Sequence, residues 1–261
     1  LPTMDVDDYP ALPELAEHVA EVDGEILRGA LARVLPAAGT DHALPILTGV
    51  KLDGDNDGLT LAATDRFRAA RARIPWKTFG DPLDVLVSAE VLGTVSRATK
   101  TGVARLYAGD STFGVATDTH RVTGRLMAGQ YPKLAAVIPA PGDNPAVVDT
   151  ADLSRAVDEA MVMLDEHPAV KLAITADGVE VSAAGEGRGA RAVARVHSLH
   201  GEPLEVALNA GFLRAALRAL DADAVAVHVT GPRRPVLMLP ATTDGDVIDG
   251  YEHIVMAVSM P

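Results

Sequence analysis

The stretch Val50-Lys51-Leu52, continued by DGDNDGLTLAATDRFRAARARI through residue 74, decides the fold because it occurs twice. At an offset of 120, Val170-Lys171-Leu172 is continued by AITADGVEVSAAGEGRGARAVARV through residue 196. Both copies alternate apolar and polar residues on either side of an Asp-Gly turn, the pattern of half-buried strands joined as hairpins.

Outward from this core the repetition persists. LVSAEVLGTVSRAT (86–99) matches ALNAGFLRAALRAL (207–220). Each reads as a short strand, then Ser88 or Asn209 as a helix N-cap, then apolar residues three and four apart. Upstream, EVDGEILRGALARVL (21–35) matches VVDTADLSRAVDEAM (147–161), with Asp23 and Asp149 as caps. Each unit is thus expected to hold two amphipathic helices and several antiparallel strands, an α+β repeat. The third helix is expected near 149–167. A shorter echo sets the boundaries. Asp8-Tyr9-Pro10-Ala11-Leu12 ahead of Val22-Asp23 mirrors Gln130-Tyr131-Pro132-Lys133-Leu134 ahead of Val148-Asp149. Residues 131–148 join the two units, so residues 1–22 read as the tail and linker of an absent upstream unit, and the opening Leu1 agrees. The units are then 23–145 and 146–261, each of ordinary domain size.

Composition narrows the chemistry. The 261 residues hold 23 Lys and Arg against 36 Asp and Glu, a net charge of -13, with no Cys and 48% apolar residues. Without cysteine there is no disulfide framework and no thiolate ligand or nucleophile. No run approaches 18 consecutive apolar residues, and LPTMDVDDYP lacks a signal-peptide layout, which predicts a soluble, cytoplasmic protein. A balance of -13 opposes contact with nucleic acid overall, yet it does not say where the charges sit. The cations are organised by helix. Arg28 and Arg33 fall on the first, Arg97 and Lys100 near the end of the second, and Arg214 and Arg218 four apart on the last. The third helix instead sets Asp152, Asp158, Glu159, Asp165 and Glu166 against Arg155.

Motifs that suggest catalysis or metal binding read more simply as turns. Asp53-Gly54-Asp55-Asn56-Asp57-Gly58 matches the opening of an EF-hand loop, but the twelfth position is Thr64 and the flanks alternate as strands. Gly185-Glu186-Gly187-Arg188-Gly189-Ala190 fits a dinucleotide fingerprint, yet RAVARVHS after it is strand-like where a helix is required. His197 and His200 lack a third ligand, His120 lacks organised partners, and no G-x-S-x-G occurs. No catalytic residue, metal or cofactor is expected. Leu47, Phe67, Val137, Phe212 and the terminal IVMAVSM would converge only where the two repeats meet, although taken alone they read as core.

LPILTGVKL, LAATDRFR, GQYPKLAAVIP, NAGFL, GPRRPVLMLP and Tyr251 followed by EHIVMAVSM, in this order and spacing, resemble the bacterial sliding clamp, the beta subunit of DNA polymerase III, in its actinobacterial form. The resemblance covers essentially the whole chain. It implies the DNA-clamp fold, with this chain corresponding to the family's middle and C-terminal domains. It implies a non-catalytic processivity factor, cytoplasmic and nucleoid-associated, that encircles double-stranded DNA without reading sequence. Replicative and translesion polymerases, the clamp loader and repair proteins would dock through short linear motifs. By the same resemblance the motif pocket comprises Leu47, Thr64, Arg66, Phe67, Arg68 and Ala69; Pro132, Ala136 and Val137 from the joint; and Asn209, Phe212, Arg233, Pro235, Ile254, Val255, Met256, Ala257, Val258 and Met260. Arg28, Arg33, Arg97, Lys100, Arg214 and Arg218 would face DNA. The family form is a homodimeric ring. This chain alone is expected to be a monomer, with a ring of three two-domain copies as the runner-up. The acidic third helix, and Met256-Ala257-Val258-Ser259-Met260-Pro261 where the family usually has Met-Pro followed by Arg-Leu, motivate an alternative: a clamp-derived binding module that does not encircle DNA. An enzyme using the acidic turn or a histidine is the third reading.

Overall fold

The computed structural model describes residues 15–142, 145–164, 168–183, 191–199, 202–231 and 233–259. The 8–12 echo, Asp165, Glu166, the 185–190 turn, His200 and Met260 lie outside the described residues.

The first unit runs β1 (Glu17–Asp23), α1 (Gly24–Val34), β2 (Gly49–Gly54), β3 (Leu59–Thr64), β4 (Arg68–Ile74), β5 (Lys77–Thr78), β6 (Leu83–Ser88), α2 (Ala89–Ala98), β7 (Val103–Ala108), β8 (Thr112–Ala116) and β9 (Arg121–Arg125). The second repeats this order as β10 (Ala146–Asp149), α3 (Thr150–Met161), β11 (Ala169–Thr175), β12 (Gly178–Ala183), β13 (Arg191–Ala194), β14 (Val196–Leu199), β15 (Leu204–Asn209), α4 (Ala210–Leu220), β16 (Ala224–Val229), β17 (Pro235–Ala241) and β18 (Tyr251–Met256). Strand β1 opens at Glu17 and pairs with β7, so the first unit's sheet begins upstream of residue 23. Helix α3 ends at Met161, earlier than its apolar spacing predicts.

All four helices start on the caps read from the sequence. The Asp23 carboxylate accepts from the N–H of Glu25 (2.9 Å) and Ile26 (3.1 Å), and Ser88 Oγ from Glu90 (3.2 Å). Asp149 accepts from Asp152 (2.8 Å) and Asn209 from Phe212 (3.0 Å). Each satisfies N–H groups that a helix start leaves without partners. The apolar faces that follow are buried: Leu27, Ala30, Leu31 and Val34 on α1, and Leu213, Ala216, Leu217 and Leu220 on α4.

Each unit folds its strands into a four-stranded and a five-stranded antiparallel sheet. In the first unit these are β4-β3-β2-β6 and β5-β1-β7-β8-β9; in the second, β13-β12-β11-β15 and β14-β10-β16-β17-β18. The second unit's five strands join the first unit's four edge to edge, because β18 pairs with β4 from Tyr251 opposite Ala72 to Val255 opposite Arg68. A nine-stranded sheet therefore crosses the seam. Arg71 and Glu252 form an ion pair across it. On the helix side, α1 packs on α2 and on α4, and α4 packs on α3, giving one row of four helices.

The other face of the seam carries a second apolar cluster in which Leu134, with Tyr131 and Ile138 packed beside it, covers Ala62, Ala69, Leu237, Leu239 and Ile254. Burying a side chain such as Leu134 or Ile254 is worth roughly 1.5–3 kcal/mol, so the joining segment fastens the two units as well as linking them. Tyr131 adds a polar strap: its hydroxyl accepts from the Thr64 N–H (2.9 Å) and faces the Gly49 carbonyl (3.4 Å). Burial pushes that phenol up to about 12. No helix among the described residues is long and apolar enough to cross a membrane.

Candidate functional site

At the end of the seam, the β3–β4 turn is built by its own polar side chains. Asp65 Oδ1 accepts from the N–H of Phe67 and of Arg68, both at 3.0 Å, and Oδ2 accepts from Arg68 Nε at 2.8 Å. Thr64 Oγ1 accepts from the Arg66 N–H (3.1 Å) and donates to the Arg68 carbonyl (2.7 Å). These bonds hold Arg66 at φ +81°, a left-handed conformation that a residue with a Cβ rarely adopts. The turn thrusts Phe67 outward, 54% exposed.

Phe212, from the first turn of α4, meets Phe67 from the opposite unit. The ring centroids are 6.4 Å apart with 21° between planes. The Arg68 guanidinium lies 4.5 Å from the Phe212 centroid, and that of Arg66 lies 5.5 Å from the Phe67 centroid. Two guanidinium groups and two rings therefore stand around the seam's end, a cation–π arrangement that leaves more than half of Phe67 in solvent. Past β18 the chain continues beside them. Met256 N–H donates to the Phe67 carbonyl (2.8 Å) and Val258 N–H to the Ala207 carbonyl (2.9 Å), while Ala257 bridges Leu208.

The residues expected to form one pocket are divided by this geometry. Alternation along β18 sends successive side chains to opposite faces. Ile254 joins Ala69 in the cluster under the joining segment, whereas Val255 enters the main core, with Phe212 and Ala257 packed against it. Leu47 and Thr64 are buried and act as support; the Leu47 carbonyl accepts from the Gly39 N–H at 2.8 Å. Asn209 uses its amide oxygen as the α4 cap. Pro132, Ala136 and Val137 are exposed on the joining segment. Pro132 lines a broad groove of about 1380 Å³ with Lys51, Arg71, Asp84 and Tyr131, on the face away from the helices. Arg233 is exposed, and Pro235 lies opposite Met256.

One residue beside the site escaped the sequence reading. His253 is fully buried in the seam, with Tyr251 and Val255 on the same face of β18. The Tyr251 hydroxyl donates to the Arg33 carbonyl (3.1 Å), so it accepts from His253 Nδ1 at 2.8 Å. Nε2 has no partner. Burial, and then the nearby charge of Arg68, push the imidazole down to about 3, so it is neutral at pH 7.

The helix row presents the expected cations unequally. Arg28, Arg97 and Lys100 line one shallow hollow with Glu25, where α1 meets the end of α2. Arg33 is tied to Asp221 (3.3 Å), and Arg214 to Asp158 (3.7 Å). Arg155 takes Asp152 (3.4 Å) and Glu159 (2.9 Å), while Arg218 is exposed. The acidic run 53–58 is the β2–β3 hairpin turn. Asp55 Oδ1 accepts from Asp57 N–H (2.8 Å), Gly58 N–H (3.0 Å) and Arg73 (2.7 Å), and Arg73 holds its carboxyl below the usual range. Among the described residues no group of His, Asp and Glu is arranged to hold a metal ion.

Two family models match consecutive parts of the chain: the DNA polymerase III beta subunit, central domain, over residues 21–133, and its C-terminal domain over residues 135–252. The beta sliding clamp of Streptomyces coelicolor is 32% identical over 100% of this chain and 72% of its own length. The beta sliding clamp homolog GriR of Streptomyces muensis is 30% identical over 99% and 71%. Among solved structures, the Bacillus subtilis DNA polymerase sliding clamp superposes with a TM-score of 0.89 at 23% identity, covering 99% of this chain and 69% of that one. A Pseudomonas aeruginosa clamp solved bound to griselimycin gives 0.89 at 20% identity over 98% and 69%, a likeness of fold.

Proposed function

From the premise that this chain belongs to the DNA polymerase III beta subunit family, the bacterial sliding clamps, we propose that it contributes two adjacent units of a ring that tethers polymerases to duplex DNA. The observation that carries this reading is the seam itself. One sheet runs through both units and places four helices in a row on one side, so the pair forms an arc with a helical lining. Edges β9 and β13 are the counterparts, in the repeat, of β18 and β4, which already join here. Further units added by the same edge pairing continue the arc towards closure.

Function in such a ring is topological. Arg28, Arg97 and Lys100 would meet phosphates through charge alone, giving weak, salt-sensitive contacts that let the duplex slide. Retention comes from closure, with no bond made or broken. Replicative and translesion polymerases, the clamp loader and repair factors would be held at the seam's end, where Phe67, Phe212 and Met256 offer apolar anchorage beside Arg68. The griselimycin-bound Pseudomonas clamp supports a ligand-accepting surface on this fold.

Anisotropy titration with a labelled Gln-x-x-Leu-Phe peptide tests the seam. Binding in the micromolar range is expected, and Phe212→Ala should weaken it by about tenfold or more, as loss of an aromatic anchor does. A peptide that does not bind, or binds the variant equally well, removes the seam as the docking site.

A further inference from the structure

The charge around the stacked rings runs against that of the rest of the chain. In a protein of net charge -13, three exposed arginines border the seam's end, Arg66, Arg233 and Arg234, and among the described residues none lies within 4.0 Å of a carboxylate. Arg66 heads the β3–β4 turn with its guanidinium over Phe67. Arg233 and Arg234 lead directly into Pro235, which pairs with Met256, whose N–H in turn meets the Phe67 carbonyl. Pro235, Met256 and Phe67 thus stand abreast, with Arg66 at the Phe67 end of the row and Arg233 and Arg234 leading into its Pro235 end. Local acids do not offset them: Asp65 is committed to Arg68 and two backbone N–H groups, and Glu252 to Arg71.

Arg66 also occupies a backbone conformation that glycine adopts more easily, held there by Thr64 and Asp65. The fold tolerates that strain, and the Arg66 guanidinium lies 5.5 Å from the Phe67 centroid. Guanidinium groups are suited to carboxylates, which they pair with through two parallel hydrogen bonds.

We propose that this rim makes the seam selective for extended partner segments that carry carboxylates next to their apolar anchors. The inference rests on reading the seam as the docking site. The anchors seat against Phe67 and Phe212, while flanking Asp or Glu residues meet Arg66 on one side and Arg233 and Arg234 on the other. Such exposed pairs contribute to partner choice and association rate more than to total affinity.

Three labelled peptides sharing one Gln-x-x-Leu-Phe core, flanked by Asp, by Ser or by Lys, are titrated against the full chain. The Asp-flanked peptide should bind about five- to tenfold tighter than the Ser-flanked one at low salt, since each exposed pair is worth at most about a factor of five. The advantage should shrink in roughly 0.5 M salt. Replacing all three arginines (R66Q, R233Q and R234Q) should bring the Asp-to-Ser affinity ratio close to one. Arg66→Gly should relieve the strained turn, raise the melting temperature slightly, and still reduce the ratio. Equal binding of the Asp and Ser peptides, a ratio that survives the triple replacement, or an oligonucleotide that displaces the Asp peptide at lower concentration than unlabelled Asp peptide does, overturns the proposal. Binding by none of the three peptides instead overturns the docking site on which it rests.

Discussion

The helix faces of the two units share a backbone plan and differ in charge. Both start from a carboxylate cap on the first helix and bury the same apolar face. Yet the first unit gathers Arg28, Arg97 and Lys100 in one hollow with a single glutamate, whereas the second ties Arg214 to Asp158 and Arg155 to Asp152 and Glu159. Core packing constrains the buried positions of a repeat, but exposed positions are free to diverge. One half of the arc is therefore equipped to attract a polyanion and the other is close to neutral towards it.

The contrast is open to measurement. Reversing the hollow (R28E, R97E and K100E) should lower duplex affinity at about 50 mM salt by on the order of a hundredfold and flatten the log–log salt slope by about 2.7, or 0.9 per lost phosphate contact. Neutralising the already paired cations of the second unit, R155Q with R214Q, should cost under about fivefold; equal losses would erase the distinction. The faces also act together only while the seam is shut, and acid should loosen it. His253 stays neutral in the fold down to about 3 but takes up a proton near 6.5 once unfolded. Below pH 6.5 the unfolded chain therefore binds more protons, and stability falls by up to about 1.4 kcal/mol per pH unit across that window. Burial holds His228 down in the same sense. Denaturation followed against pH should show a shallower acid limb in His253→Gln. If the units are equivalent beneath their charges, Asp23→Ala and Asp149→Ala should each destabilise by about 1 kcal/mol, with Asp23 the larger because it caps two N–H groups. Smallest of all, Asp158→Asn should release Arg214 and raise duplex affinity about twofold.

What the sequence disclosed was local. Caps, hairpin turns and helix faces depend on residues within a few positions, and the repeat made each visible twice. The division of strands into sheets of four and five was hidden, because it rests on pairings such as β18 with β4 between distant parts of the chain. The pairing of Arg33 with Asp221 spans 188 positions and leaves no periodic trace. His253 looked like an ordinary polar residue in EHIVM; only the seam shows that Tyr251, His253 and Val255 share the inward face. The left-handed Arg66 was equally hidden, since a positive φ is normally announced by Gly or Asn. At the proposed docking site the arrangement was hidden too, because strand alternation sends Ile254 and Val255 to opposite faces.

The outer rims add a last consequence. Strand β9 carries Arg121 and Arg125, β13 carries Arg191 with Arg195 just past it, and neither has an Asp or Glu. The completed joint differs, for there Glu252 is set against Arg71. Arg191 is paired with Glu180 of β12 at 2.6 Å, which leaves Arg195 as the cation that a second copy's Arg121 and Arg125 would approach if β9 and β13 met tip to tip, and like charges across neighbouring strands repel. On that balance, filaments of identical copies would be weakly disfavoured and a mate whose border bears carboxylates would be preferred.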